Sequence, residues 1–96
     1  MKVILGILAN AGGVGKTTLA IHLAHEISRK GYSVAILDLD PQRSLDIFCG
    51  VEPVDAQESL VHVLSINFKG IWPLINVWDN DLIQICQGHA SMANLA

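Results

Sequence analysis

A chain of 96 residues suffices for one small domain or for part of a larger one, and at that size it buries only about two-thirds of the surface it exposes when unfolded. It is 51% hydrophobic and 16% charged with a net charge of -3, which argues against intrinsic disorder; its bases, Lys2, Lys16, Arg29, Lys30, Arg43 and Lys69, are scattered and form no patch for nucleic acid. No run approaches the roughly 18 apolar residues of a membrane span, and Cys49 and Cys86 match no metal spacing, as fits two buried thiols in a reducing cytosol.

Val3 to Ala9 is a continuous apolar run without alternation, the pattern of a strand covered on both faces of a parallel sheet. Together with Met1-Lys2 and the triplet Ala9-Asn10-Ala11 it also has the outline of a secretory leader. Two features oppose that reading. Gly6 interrupts a run already at the lower length limit, and cleavage would cut a glycine-rich loop from the strand that must hold it. A cytoplasmic location is therefore expected.

Asn10 to Gly15 holds three glycines and is expected to be a loop. Thr17 to Lys30 reads as a helix whose apolar stripe is Leu19, Leu23 and Ile27, with Ala20 and Ala24 beside them. Arg29 and Lys30 suit the negative end of the helix dipole, and Gly31 is a natural stop. Tyr32 to Leu39 is a second buried strand, so strand, loop, helix and strand make a right-handed parallel βαβ unit. Pro41 ends it. A short helix over Ser44 to Cys49, a loop, and a helix over Glu58 to Ser65 follow. Pro73 limits Gly70 to Trp78 to a helix start or a sheet edge. Leu82 to Cys86 reads as a third strand, Gln87-Gly88 as a turn, and His89 to Ala96 as the beginning of a helix.

A phosphate-binding loop needs glycines that let backbone N–H groups crowd an oxyanion. It also needs a helix start whose free N–H groups and dipole face the anion, and a lysine with an adjacent hydroxyl for Mg²⁺. Gly12, Gly13 and Gly15, the helix after them, and Lys16 with Thr17 supply these in turn. The pattern G-x-x-x-x-G-K-[ST] would place its first glycine where Asn10 stands, and Asn enters left-handed backbone conformations more readily than most residues. A glycine-rich turn without a ligand is the plain alternative; the strand before it and the helix after it weigh against that.

At Gly12-Gly13-Val14-Gly15-Lys16-Thr17-Thr18 the sequence resembles the ParA/MinD family of partition and positioning ATPases, and "ILDLDPQRS" (residues 36–44) is similar to the D-x-D-P-Q segment after that family's second strand. The resemblance implies an α/β fold: a P-loop NTPase-type parallel sheet with flanking helices, of which residues 1–96 would be the N-terminal part of a single nucleotide-binding domain. It implies that Gly12, Gly13, Val14, Gly15, Lys16, Thr17 and Thr18 bind the phosphates of ATP. Lys16 would neutralise developing charge on the outer phosphates. Thr17 would ligate Mg²⁺, and Asp40 would lie near the ion and orient the attacking water. Lys16 and Asp40 are thus the implied catalytic residues, and Thr17 and Asp40 the implied metal ligands; Asp38 would be structural or stand outside the direct ligands. Read without the family, Asp38 and Asp40 equally suit ending a strand and opening a turn before Pro41.

The implied role is an ATP-dependent dimerisation switch in chromosome or plasmid partitioning, as a homodimer or a heterodimer with a full-length relative. Two departures bear on it. Ala11 stands where the family carries a lysine that reaches the partner's nucleotide, so hydrolysis is expected to be impaired. No hydrophobic run ending in Asp follows Cys86, so the Walker B segment is lacking. In the family fold that strand lies between the first two strands seen here; the sheet is therefore expected to lack its centre and to be poorly stable. The alternative is a non-catalytic truncated remnant that binds nucleotide weakly or only pairs with a full-length partner. A P-loop enzyme of another branch, such as a small-molecule kinase or a synthetase of the biotin or cobalamin type, is disfavoured by the D-x-D-P-Q string. The family's DNA-binding surface and the MinD membrane helix fall outside these residues, so neither DNA nor membrane binding is assigned. His22 and His25 match no metalloprotease spacing, and Trp72 and Trp78 read as core or edge packing because no basic groove accompanies them.

Overall fold

The structure, a computed structural model, describes residues 2–8, 14–40, 42–65 and 68–91. The elements run β1 (Lys2–Leu8), α1 (Val14–Arg29), β2 (Ser33–Leu39), α2 (Ser44–Cys49), a 3₁₀ turn (Ala56–Glu58), α3 (Leu60–Val63), β3 (Leu74–Val77) and β4 (Asn80–Cys86). They build a four-stranded sheet in the order β1-β2-β4-β3. β1 pairs with β2 in parallel from Lys2↔Ser33 to Leu8↔Leu39, β2 with β4 in parallel from Val34↔Ile83 to Leu37↔Cys86, and β3 with β4 in antiparallel. The α/β class read from the sequence holds: a mostly parallel sheet with flanking helices. Among the described residues, no helix is long and apolar enough to cross a membrane.

The expected gap in the centre of the sheet is absent. β1 and β2 pair directly along all seven residues of each, which satisfies the ladder groups that a missing neighbour would have left open. The strands are aliphatic and β-branched on both faces, so each can bury either side.

Of the stripe read from the sequence, Ala20, Ala24 and Ile27 pack on the core, and Leu19 and Leu23 do not. Thr17, Ala20, Ala24 and Ser28 face the sheet, whereas Leu19 and Leu23 are 60% and 44% exposed. Ala20 and Ala24 meet Ile7, Val34, Ile36, Ile83 and Ile85 in one core cluster. Small side chains at the contact let the helix settle close to the sheet, and leucines there would hold it off. The helix starts at Val14, three residues before the sequence reading put it, and takes Gly15 into its first turn. It stops at Gly31 (φ 86°), whose N–H donates to Ser28 O at 3.0 Å.

The opposite face is partly covered by α3, where Leu60 and Cys86 gather Leu37, Leu39, Val61 and Leu74. Ser59 Oγ caps α3 by accepting the Val61 N–H at 3.2 Å, and the Leu60 N–H donates to Gln87 O at 2.8 Å, tying α3 to the end of β4. Pro73 precedes a short edge strand, β3. Trp78 and Asp79, both at positive φ (56° and 49°), make the tight turn into β4. Trp78 packs against the main core, its ring 4.8 Å from that of His25.

Candidate functional site

Parallel pairing decides where the two sequence motifs end up. Because Leu8 stands beside Leu39, the chain leaves β1 and β2 at the same edge of the sheet. The first brings it to the start of α1, the second to Asp40. In open α/β sheets, ligands bind at that carboxyl edge. Gly12 and Gly13 lie outside the described residues, as do Asn10, Ala11 and Pro41. Val14, Gly15, Lys16, Thr17 and Thr18 form the first turn or so of α1. Thr17 is buried at 1% exposure, Thr18 half-buried and Lys16 exposed. The helix carries no acidic residue in its first turn, so no carboxylate of its own offsets the positive end of its dipole. Apart from its own helix, no described residue stands within 4 Å of a methyl group added at Gly15.

Asp38 and Asp40 carry out the turn chemistry foreseen for them. The Asp40 N–H donates to Asp38 Oδ1 at 3.0 Å, and the Gln42 N–H donates to Asp40 Oδ1 at 2.9 Å. The Arg43 N–H closes the turn on Asp40 O at 3.0 Å, with Arg43 itself left-handed (φ 56°). These bonds hold both carboxylates in place, buried at 1% and 3% exposure.

Two further carboxylate features were not legible in the sequence. Among the described residues, Asp38 Oδ2 is buried without a hydrogen-bond partner, and burial raises the Asp38 pKa from 3.8 to about 6, opposed by the Asp40 N–H and helped by the charges of Asp40 and Asp46. Asp46, on α2, is also buried, and among the described residues neither of its oxygens meets a hydrogen-bond partner. Burial pushes its pKa up; Gln87 and Arg43 nearby partly offset this, although Gln87 Nε2 is committed to Glu52 O at 2.8 Å. Burial, and then the neighbouring Asp46 and Asp38, push the Cys49 thiol up to about 12; burial and Asp38 push Cys86 up to about 11. Both thiols are therefore protonated and weak as nucleophiles at neutral pH.

Gly88, read from the sequence only as part of a turn, closes the site from the β4 side. A methyl group there would stand 3.0 Å from Asp38 O, 3.2 Å from Asp38 Cγ and 3.2 Å from Asp40 O. The neighbouring dipeptide Gln87-Gly88 was a signal of a turn; that it packs on Asp38 depends on the pairing of β2 with β4. Lys16 lines a groove of ≈ 310 Å³ with Leu5, Ile7, Leu19 and Leu23 on the open side of β1. A hollow of ≈ 530 Å³ beside the 3₁₀ turn and α3 holds none of the motif residues.

The model of the CobQ/CobB/MinD/ParA nucleotide-binding domain matches residues 5–95. The chain belongs to this family. Its relatives within the family include a probable plasmid-partitioning protein ParA of Thermus thermophilus, 38% identical over 74 residues, which are 77% of this chain and 23% of that protein. The chromosome-partitioning ATPase Soj of the same organism is 47% identical over 59 residues, 60% of this chain and 22% of Soj. The maintenance of carboxysome distribution protein A of Synechococcus elongatus is 35% identical over 71 residues, 74% of this chain and 27% of that protein. The chain spans about a quarter of the length of these relatives. No solved structure matches it.

Proposed function

We propose that this chain is the nucleotide-binding portion of a ParA-like partition protein, taking ATP with Mg²⁺ and acting as an ATP-dependent dimerisation switch with impaired hydrolysis. One observation carries the reading: the β1–β2 register sets the start of α1 and Asp40 on the same edge of the sheet. The family match and the partition names of the relatives support it.

The donor set fits Mg²⁺ held together with a nucleotide. Among the described residues, no three His, Cys, Asp or Glu side chains cluster as a metal cage, and Mg²⁺ characteristically uses one or two protein ligands with phosphates and waters. Thr17 and Asp40 would be those ligands; the bound ion would neutralise charge on the phosphate oxygens. Gly12, Gly13, Val14, Gly15 and Thr18 would offer backbone N–H groups to the phosphates, and the Lys16 ammonium would act as a point charge on the outer ones. Asp40 is pre-oriented because one of its oxygens accepts the Gln42 N–H.

Ala11 sets the limit on turnover. A methyl group carries no charge to a partner's nucleotide, and a cation in the comparable arginine-finger role contributes on the order of a thousandfold or more. For the same reason a second reading stands beside the first: binding without turnover, either alone or paired with a full-length relative. A cytoplasmic protein is the setting for both. Titration of a fluorescent ATP analogue with and without Mg²⁺ tests the core of the proposal. Binding that Mg²⁺ strengthens and Lys16→Ala abolishes supports it; no binding at millimolar nucleotide overturns it.

A further inference from the structure

The ladder between β2 and β4 ends at Leu37↔Cys86. Past that pair the sheet no longer fixes the chain, and the path of Gln87 and Gly88 rests on other contacts. Gln87 is buried, at 4% exposure, and it bonds two segments that follow α2. Its carbonyl oxygen accepts the Leu60 N–H at 2.8 Å, which holds the start of α3. Its side-chain amide donates to Glu52 O at 2.8 Å, which holds the loop between α2 and the 3₁₀ turn. Gly88, the next residue, lies on the Asp38–Asp40 turn so closely that a methyl group there would stand 3.2 Å from Asp40 O.

We infer that Gln87 is a positioning residue for Asp40: its amide anchors the end of β4 to the segment between α2 and α3, and Gly88 in turn holds the Asp40 turn in place. This rests on the reading of Asp40 as a ligand of Mg²⁺ given above. Gln87 acts through backbone rather than by touching the ion. Asp40 O, against which Gly88 rests, accepts the Arg43 N–H at 3.0 Å, and Asp40 Oδ1 accepts the Gln42 N–H at 2.9 Å. A displaced Gly88 therefore loosens the bonds that aim the carboxylate.

The side chain at position 87 is specified by this task. Glu52 O can only accept, so the residue opposite must donate. Glutamate would set acceptor against acceptor and add a carboxylate near buried Asp46. Methionine fills similar space but leaves the partly buried Glu52 O without its donor.

Amide exchange of the nucleotide-free chain tests the link directly. Gln87→Met should speed exchange of the Gln42 and Arg43 amides roughly tenfold, the loss of one hydrogen bond, relative to Val34–Leu37 in the core of the sheet. Gln87→Asn keeps the amide but is one methylene too short for Glu52 O, so it should act alike with a milder change of volume. In both variants the factor by which Mg²⁺ tightens binding of a fluorescent ATP analogue should shrink roughly tenfold, while affinity without Mg²⁺ holds. A glutamine serving only the fold would loosen turn and sheet together and lower both affinities alike. That result overturns the inference, as does parental exchange of Gln42 and Arg43 in both variants. A Mg²⁺ effect that the variants keep in full overturns this inference alone; a parent with no Mg²⁺ effect overturns the reading of Asp40 and this inference with it.

Discussion

Gly88 lies against the backbone of Asp38: a methyl group built on it would come within 3.0 Å of the Asp38 carbonyl oxygen. Asp38 Cγ and Asp40 O would each be 3.2 Å away. Two of these three atoms are backbone carbonyl oxygens in a hydrogen-bonded turn and cannot swing aside. Gly88→Ala should therefore destabilise the fold by about 1–3 kcal/mol, as other forced overpacking does, read by urea unfolding. It should also lower Mg²⁺-dependent ATP affinity by shifting Asp40. An unchanged urea midpoint would show that the turn gives way freely.

Burial of Asp38 makes stability depend on pH. Its pKa rises from 3.8 to about 6 on folding, so the folded chain holds this proton more tightly than the unfolded one. The resulting stability is fully present below about pH 4 and is lost as pH climbs through about 6, a span on the order of 3 kcal/mol at about 1.4 kcal/mol per tenfold. Asp38→Asn removes the titration. Its stability relative to the parent should rise between about pH 4 and about pH 7; a difference that stays flat in urea unfolding at the two pH values would contradict the assignment.

Gly15 separates a structural glycine from a functional one. Apart from its own helix, an added methyl group meets no described residue within 4 Å, and alanine is the better helix former by up to about 1 kcal/mol. Gly15→Ala should hold or raise the melting temperature while weakening binding of the ATP analogue roughly tenfold or more, because the new methyl group takes space a phosphate would use. A loss of stability would mean that the glycine serves the fold.

Ala11→Lys tests the account of slow turnover. Restoring a cation at this position should raise single-turnover ATP hydrolysis at least roughly tenfold, with little change in ATP affinity. A parent chain that already hydrolyses as fast as the variant would sink the impairment proposal.

Direct pairing of β1 with β2 predicts where amide protection is strongest. β2 has neighbours on both sides, so Val34–Leu37 should exchange most slowly in the chain and should set the global opening free energy. Rapid exchange of the β2 amides that face β1 would restore the picture of an empty place between these strands.

The local pattern carried much of this protein. An unbroken aliphatic run announces a strand buried on both faces, and glycines before a lysine and a threonine announce a helix start that can face an anion. These are short-range facts, held within a few residues of chain, and the βαβ unit, the flanking glycine stop and the Asp38–Asp40 turn followed from them. Tertiary structure decided what depends on distant partners. Helical spacing showed that α1 has an apolar side, but the sheet chose Ala20 and Ala24 over Leu19 and Leu23 because only small residues permit close approach. The identity of the neighbour of β2, the burial of Asp46 and the closure of Gly88 onto Asp38 rest on contacts between residues as far apart as Val34 and Ile83. Hydrogen bonding between strands rewards any two backbones that meet, so periodicity alone cannot say which strands will pair.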